Sequence, residues 1–361
     1  MRVLFDTYAF RMQRVGGISR YFAELIRRLP SVGVHPLLFM PMVDNEHAAS
    51  TGLSHRRSSE ILSGRPTLRR VVHGLIRHGE DLLRVAGRYD LLHRTYYSSV
   101  ARSRRPAVCT IVDMIPELFP QHFGVNPHQN KRQVAADSDL IFSISECTSR
   151  DIASVYGIDR SRIVTTPLGI DPQKFNRSAT STNPFRPPYV LFVGQRSGYK
   201  NFNRMAKAME PILLREPQLS VAVVGGGPLT ADEMALFGGR ESQARVQQAT
   251  VLDSDLAKIY RQAELFVFPS EYEGFGIPIL EAFAAGCPVA ASRSSSFPEV
   301  GGDAIEYFDP RSIDEISQAV NRIVASRSRA DELRALGAER VRLFPWTGTV
   351  EKTAQGYRRL A

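Results

Sequence analysis

The sequence predicts an α/β protein built from two doubly wound, Rossmann-like domains in series, and three observations carry that prediction. At 361 residues the chain is longer than one hydrophobic core usually serves. Short apolar runs alternate with helix-like segments along its whole length, the pattern of a parallel sheet covered by helices. The alternation begins afresh after the polar, proline-containing stretch NRSATSTNPFRPP.

In the first half the strand-like runs are RVLF, HPLLFM, DLLH, AVCTIVD, DLIFSIS and RIVTTPLG, separated by helical segments such as GISRYFAELIRRL and ECTSRDIASVYG. A linker falls near residues 169–188. The second half offers YVLFVG, SVAVVGGG, TVLD, ELFVFPS, PVAAS and AIEYFD. Ligands of such sheets bind beyond the carboxyl ends of the strands, so a cleft between the two domains is the expected site.

Composition narrows the function. Apolar residues make up 43% and charged residues 23%, ordinary values for a globular protein. Cys109, Cys147 and Cys287 lack metal-ligand spacing and read as buried thiols. No signal-peptide pattern and no run long enough to span a bilayer are present, so a cytoplasmic protein is expected.

The net charge of +9 is uneven. Residues 1–170 hold 23 Lys/Arg against 15 Asp/Glu, whereas the remainder is nearly balanced. Within the stretch TLRRVVHGLIRHGEDLLRVAGR the apolar residues Leu68, Val72, Leu75, Ile76, Leu82 and Leu83 share one side, flanked by Arg69, Arg70, His73, Arg77, Arg84 and Arg88. Two readings stand: a packed helix with a solvated face, or a surface for anionic lipid or a phosphate-bearing acceptor. Nucleic acid is disfavoured because no aromatics interleave and no binding module is present.

The chemistry concentrates in EGFGIPILE, residues 273–281. Pro278 suits a first helical turn, and ILEAFAAG runs to Gly286, a helix stop. Glu273 then precedes the helix and Glu281 lies one turn inside, and both carboxylates reach the helix mouth because side chains lean toward the N-terminus. The free N–H groups there suit a phosphate, and Gly274 and Gly276 let the backbone approach a polar ligand. Carboxylates for hydroxyls beside a diphosphate-sized anion site match a nucleotide sugar.

The span ELFVFPSEYEGFGIPILEAFAAGCPVAASRSSSFPEVGGDAIEYFDP resembles the signature region of the family 4 glycosyltransferases, retaining enzymes of the GT-B fold. The resemblance extends over nearly the whole chain. It implies two Rossmann-like domains facing each other across a cleft: an acceptor-binding domain at 1–170, a donor-binding domain at 171–345, and a C-terminal helix, 346–361, crossing back to the first. It implies that Glu273 meets the donor sugar and Glu281 the ribose, with the amides of Phe275, Gly276 and Ile277 near sugar hydroxyls. VGQRSGYKNF resembles the family's basic pair, here Arg196 and Lys200, which neutralises the leaving diphosphate. VGGISRYF resembles the glycine loop beside donor and acceptor, carried by Gly16 and Gly17. FPWTGTVEKTAQGYRRL resembles the crossing helix, with Trp346 as a core anchor.

One departure concerns a His-Asp pair that many members carry at a strand end. Here TIVDMIPELFP places Val112 at the histidine position and keeps Asp113. Valine neither donates a hydrogen bond nor relays a proton. His93, Tyr96, Tyr97 and His122 are the acceptor-side candidates to replace it, although His93 and His122 also read as satisfied interior histidines. IVDMIPELFP, LLHRTYYSS and YKNF look most like mannosyl- and rhamnosyltransferases of surface polysaccharide, including lipopolysaccharide, synthesis. The resemblance implies hexose transfer from a nucleoside diphosphate sugar, GDP-mannose first, to a glycan or lipid-linked acceptor, without a metal or other cofactor. The enzyme would work on the cytoplasmic side, resting on the membrane through Arg69, Arg70 and Arg77. The alternatives are a rhamnosyl- or UDP-sugar-dependent transferase, or a non-catalytic relative that binds glycan intermediates.

Overall fold

The computed structural model describes residues 1–12, 14, 16–39, 43–51, 88–97, 103–176 and 183–361. Arg69, Arg70 and Arg77, and the basic helix expected around them, lie outside the described residues.

The chain divides into two compact units: Met1–Glu117 with Val125–Leu168 and Trp346–Ala361, and Leu118–Gly124 with Gly169–Pro345. A boundary at residue 170 read from sequence does not anticipate the short excursion Leu118–Gly124, which groups with the second unit.

The first unit holds a six-stranded parallel sheet in the order β2-β1-β3-β4-β5-β6. Its strands are β1 Arg2–Phe5, β2 His35–Leu38, β3 Leu91–Arg94, β4 Ala107–Ile111, β5 Leu140–Ser143 and β6 Ile163–Thr165. The central strands β3, β4 and β5 are buried at every position, as a sheet covered on both faces requires. The helix Gly17–Arg28 sends Tyr21, Phe22, Leu25 and Ile26 into a core shared with Val3, Phe5, Phe142 and Tyr357. The helix Glu146–Tyr156 starts where Ser145 Oγ accepts from Thr148 N and stops at Gly157, φ +68°.

The last helix, Trp346–Arg358, belongs to this unit. Thr349 Oγ1 donates to the Pro167 carbonyl at 2.7 Å, and Tyr357 is fully buried against Phe142. Trp346 sits at the edge of the core, half-buried, with the Arg28 guanidinium 5.0 Å above its ring.

The second unit repeats the architecture with strand order β12-β11-β10-β7-β8-β9. Its strands are β7 Tyr189–Val193, β8 Ser220–Val224, β9 Val246–Ala249, β10 Leu265–Phe268, β11 Val289–Ser292 and β12 Ile305–Phe308, all parallel. β9 corrects the expected strand TVLD. It runs through VQQA instead, because an edge strand with two half-buried glutamines pairs through its backbone and carries no apolar run. All three cysteines are buried and free.

Strand order fixes where each unit can bind. The connections reverse direction between β1 and β3 in the first sheet and between β7 and β10 in the second. Beyond the carboxyl ends of such a pair the following loops diverge and leave a crevice.

Arg196 shows how the loops around the second crevice are held. Its Nε donates to Glu233 Oε1 at 2.7 Å, and Nη1 to the carbonyls of Gly225 (2.7 Å) and Gly227 (2.9 Å). Nη2 donates to the Pro228 carbonyl at 2.9 Å and to Glu233 Oε2 at 3.2 Å. All five N–H groups of the guanidinium are thereby engaged, and these bonds hold the Glu233 carboxyl below its ordinary range. The glycine turn after β8 needs such a brace: Gly225, Gly226 and Gly227 all have positive φ, and a Cβ on Gly226 would lie 2.5 Å from Arg196 Nη1.

Two substitutions test this packing. Gly356 lies in the last helix, where alanine would by propensity stabilise by roughly 0.8–1 kcal/mol. Its Cβ would, however, stand 2.6 Å from Phe142 Cε1 and 3.1 Å from Leu140 Cδ2, and overpacking costs about 1–3 kcal/mol. Gly356→Ala is therefore expected to lose about 1 kcal/mol in denaturant unfolding; a gain would show that this helix does not press on β5. Arg196→Met should lower the stability of the nucleotide-free protein by about 1–2 kcal/mol, because the half-buried carbonyls of Gly225 and Gly227 and the Glu233 carboxylate lose a charged donor. An unchanged transition would remove the brace from the account.

Candidate functional site

The crevice beyond β7 and β10 contains the EGFGIPILE loop. Gly276 caps the helix Ile277–Ala284 at φ +97°, ψ +46°, and Pro278 occupies its first turn. Only glycine fits there: a Cβ would stand 2.9 Å from the Phe297 ring in a conformation that side chains avoid. Ser296 Oγ donates to the carbonyls of Glu273 (3.0 Å) and Phe275 (2.8 Å), and Glu273 N donates to Ser295 Oγ at 3.0 Å. Phe275 is buried edge-on to Phe344. The loop is therefore built before any ligand arrives, with Gly274 at its bend. Glu281, one turn into the helix, is 5% exposed.

Lys200 joins this loop from β7. Its Nζ lies 2.5 Å from Glu273 Oε1, which also accepts from Ser270 Oγ at 2.8 Å. Lys200 ends a single helical turn, Gly198–Lys200, and the chain leaves through Asn201 at φ +58°. Asn201 Nδ2 donates to the carbonyls of Pro269 (3.0 Å) and Pro310 (2.7 Å). Glu271 N donates to the Tyr199 carbonyl at 2.8 Å, and Arg204 bridges Asn201 and Glu271. The two loops flanking the switch point are thus stitched together, and one ammonium and one carboxylate meet beside a helix N-terminus. Such a site suits a ligand with an anionic part and hydroxyls.

Of the expected basic pair, only Lys200 stands here beside Glu273. Arg196 bonds instead to the neighbouring turn described above and to Glu233. Gly16 caps the helix Gly17–Arg28 in extended backbone, φ −179°, and a Cβ on Gly17 would meet nothing within 4 Å. Neither position needs glycine for its conformation.

The four acceptor-side candidates separate. His93 is an interior histidine: fully buried, its Nδ1 lies 2.6 Å from the Tyr357 hydroxyl and its Nε2 2.8 Å from Thr110 Oγ1. Burial pushes its pKa down to about 3, so it stays neutral and faces no solvent. His122 belongs to the second unit, stacked on Phe119 at 6.1 Å with Gly198 beneath it. Tyr96 and Tyr97 remain in the first unit, at a cavity near the β1/β3 switch point.

Sequence reading missed His128 and Lys131. His128 Nε2 lies 2.8 Å from the Tyr96 hydroxyl, and its ring stands edge-on to both tyrosines. Burial, then the nearby Lys131, lowers its pKa against the opposing pull of Asp113 and Glu117. Lys131 is fully buried, pairs with Glu117 at 2.7 Å, and donates to the Asp113 carbonyl at 3.1 Å. Burial alone would raise the Glu117 pKa, but this pairing keeps it lowered. Asp113 Oδ1 accepts from Ile115 N at 3.0 Å, bracing the turn after β4. Nothing in KRQVAA or NPHQN marks these residues; only the neighbouring YY pair hinted at an aromatic site.

Comparison with known proteins places the chain among glycosyltransferases. Residues 15–174 match the description Glycosyltransferase Family 4, and residues 174–340 match Glycosyl transferases group 1. The O-antigen chain mannosyltransferase B of Escherichia coli is 27% identical over the full length of both chains. D-inositol 3-phosphate glycosyltransferase 2 of Catenulispora acidiphila is 27% identical, covering 95% of this chain and 90% of the relative. Among solved structures, Anabaena HepE in complex with UDP-glucose superposes with a TM-score of 0.70 at 16% identity, covering 100% of both chains. The two α/β units are those of the GT-B fold, and the chain belongs to the family 4 glycosyltransferases.

Proposed function

We propose that the protein transfers a mannosyl group from GDP-mannose to a hydroxyl of a glycan or lipid-linked glycan during polysaccharide synthesis, with retention of anomeric configuration. The observation that carries this reading is the Lys200–Glu273 pair at the N-terminus of the helix Ile277–Ala284. The name of the E. coli relative supports mannose and polysaccharide, and HepE with UDP-glucose supports a nucleoside diphosphate sugar as donor.

In this reading the diphosphate lies against the helix N-terminus and draws Lys200 to it, so that charge developing on the leaving group is met without a metal. Glu273 receives sugar hydroxyls and Glu281 the ribose. The bond between the anomeric carbon and the diphosphate oxygen breaks as the acceptor hydroxyl attacks from the same face. The departing phosphate takes the acceptor's proton, so no enzymic nucleophile is required. The work takes place on the cytoplasmic side of a membrane, which the chain meets from outside the bilayer. No helix among the described residues is long and apolar enough to cross one.

A nucleotide panel tests the donor site. GDP at a hundred times its dissociation constant should add about 2.7 kcal/mol to the stability of the fold, and UDP and dTDP less. A larger shift with UDP or dTDP would replace the base while leaving the site, and no shift with any would contradict the donor site itself. Lys200→Ala should reduce turnover at least about a hundredfold, the usual loss for one charge-stabilising group; near-normal turnover would remove Lys200 from the reaction.

A further inference from the structure

We propose that Asn201 and Ser295 are positioning residues, whose strained backbones let their side chains fix Lys200 and Glu273 for the reaction. This rests on the transferase reading above and extends it to two residues beyond the ion pair.

Among the described residues other than glycine, the two with positive φ are Asn201, at +58°, and Ser295, at +46°. That region crowds Cβ against the backbone, so a residue with a side chain stays there only where its surroundings over-determine it. Both meet the same ion pair. Asn201 directly follows Lys200 in the chain, and Ser295 Oγ accepts from the Glu273 amide at 3.0 Å.

Asn201 stands at the N-cap position of the helix Phe202–Arg215. Asparagine is favoured there because, with extended backbone, its side chain accepts from the first helical turn. Here the backbone is left-handed and the side chain makes no cap bond. The amide turns to the loops instead. Nδ2 donates to the carbonyl of Pro269, after β10, at 3.0 Å and to that of Pro310, after β12, at 2.7 Å. Oδ1 accepts from Arg204 Nη1 at 2.8 Å, which fixes the orientation of the amide. Asn201 thus ties the turn that ends in Lys200 to the ends of two other strands.

Ser295 is the middle residue of the run SSS after β11. In extended chain successive side chains point to opposite sides, yet all three hydroxyls reach the loop that carries Glu273. Ser294 Oγ donates to the Ser270 carbonyl at 3.3 Å, and Ser296 Oγ donates to the carbonyls of Glu273 and Phe275. The left-handed residue between them breaks the alternation. With Ser270 Oγ donating to Glu273 Oε1, both the backbone and the carboxylate of Glu273 are held. Glycine would take positive φ at either position without strain but would bring no side chain. The strain is therefore matched by contacts that hold the two charged residues.

The test uses the full chain. Ser295→Gly removes the strain together with the acceptor of the Glu273 amide. Asn201→Asp keeps a residue type that tolerates the left-handed region but replaces the Nδ2 donor by an oxygen that cannot donate. Ser295→Gly is expected to unfold within about 2 °C of wild type or above it, while kcat falls at least about tenfold and the donor KM stays within about threefold. Asn201→Asp should show the same split between kcat and KM. Crystal structures of both variants should show Lys200 Nζ and Glu273 Oε1 out of contact, against 2.5 Å in the wild type. A kcat for Ser295→Gly within about twofold of wild type, a raised donor KM with kcat retained, or an ion pair unmoved in both variants would overturn the proposal. Turnover by the wild type with unimpaired variants sinks only the positioning role. A wild type that turns over no nucleotide sugar sinks the transferase reading, and an ion pair displaced in the variants then still assigns Asn201 and Ser295 the positioning of Lys200 and Glu273.

Discussion

The ion pair between Lys200 and Glu273 closes the point at which the second sheet reverses its winding, and the arrangement of the site depends on it. Parallel strands leave their following loops unpaired by the ladder, and β7 and β10 are adjacent while their connections diverge. Something must hold the two loops at a fixed separation. Asn201, reaching two prolyl carbonyls, does so through the backbone, and Lys200 with Glu273 does so through charge. Both charged side chains are mostly covered, at 20% and 13% exposure. The backbone that carries both groups is therefore braced by the protein's own contacts.

The first unit solves the same geometric problem with different chemistry. Its switch point is lined by aromatic rings and held from below by a buried lysine–glutamate pair, so the charges serve the scaffold and the rings face the opening. A buried pair of this kind costs desolvation and repays it through fixed geometry; losing one partner would strand the other.

Much of the second crevice was legible in the sequence because its constraints are local. Pro278 and Gly276 mark a helix start within four residues, which puts Glu281 one turn inside the helix and Glu273 just before it. The parallel sheets were legible in the same way, from apolar runs buried on both faces, and the edge strand β9 escaped because its glutamines carry no such run. The side-chain partners were less legible where they depend on contacts distant in sequence. Arg196 sits four residues from Lys200, yet its partners come from the turn after β8, which the sequence shows only as a glycine run. His93 is decided by Tyr357, 264 positions away. His128 lies in NPHQN, which has no periodicity, and becomes visible only when the strand order brings it to Tyr96.

The most direct measurement is a crystal structure of the protein with a nucleoside diphosphate bound. The account predicts the diphosphate at the N-terminus of the helix Ile277–Ala284, within hydrogen-bond reach of Lys200 Nζ, with the five Arg196 bonds to Glu233 and the Gly225–Pro228 turn intact. A diphosphate held by Arg196 with that clamp opened, or one bound away from Lys200 and the helix start, would contradict it.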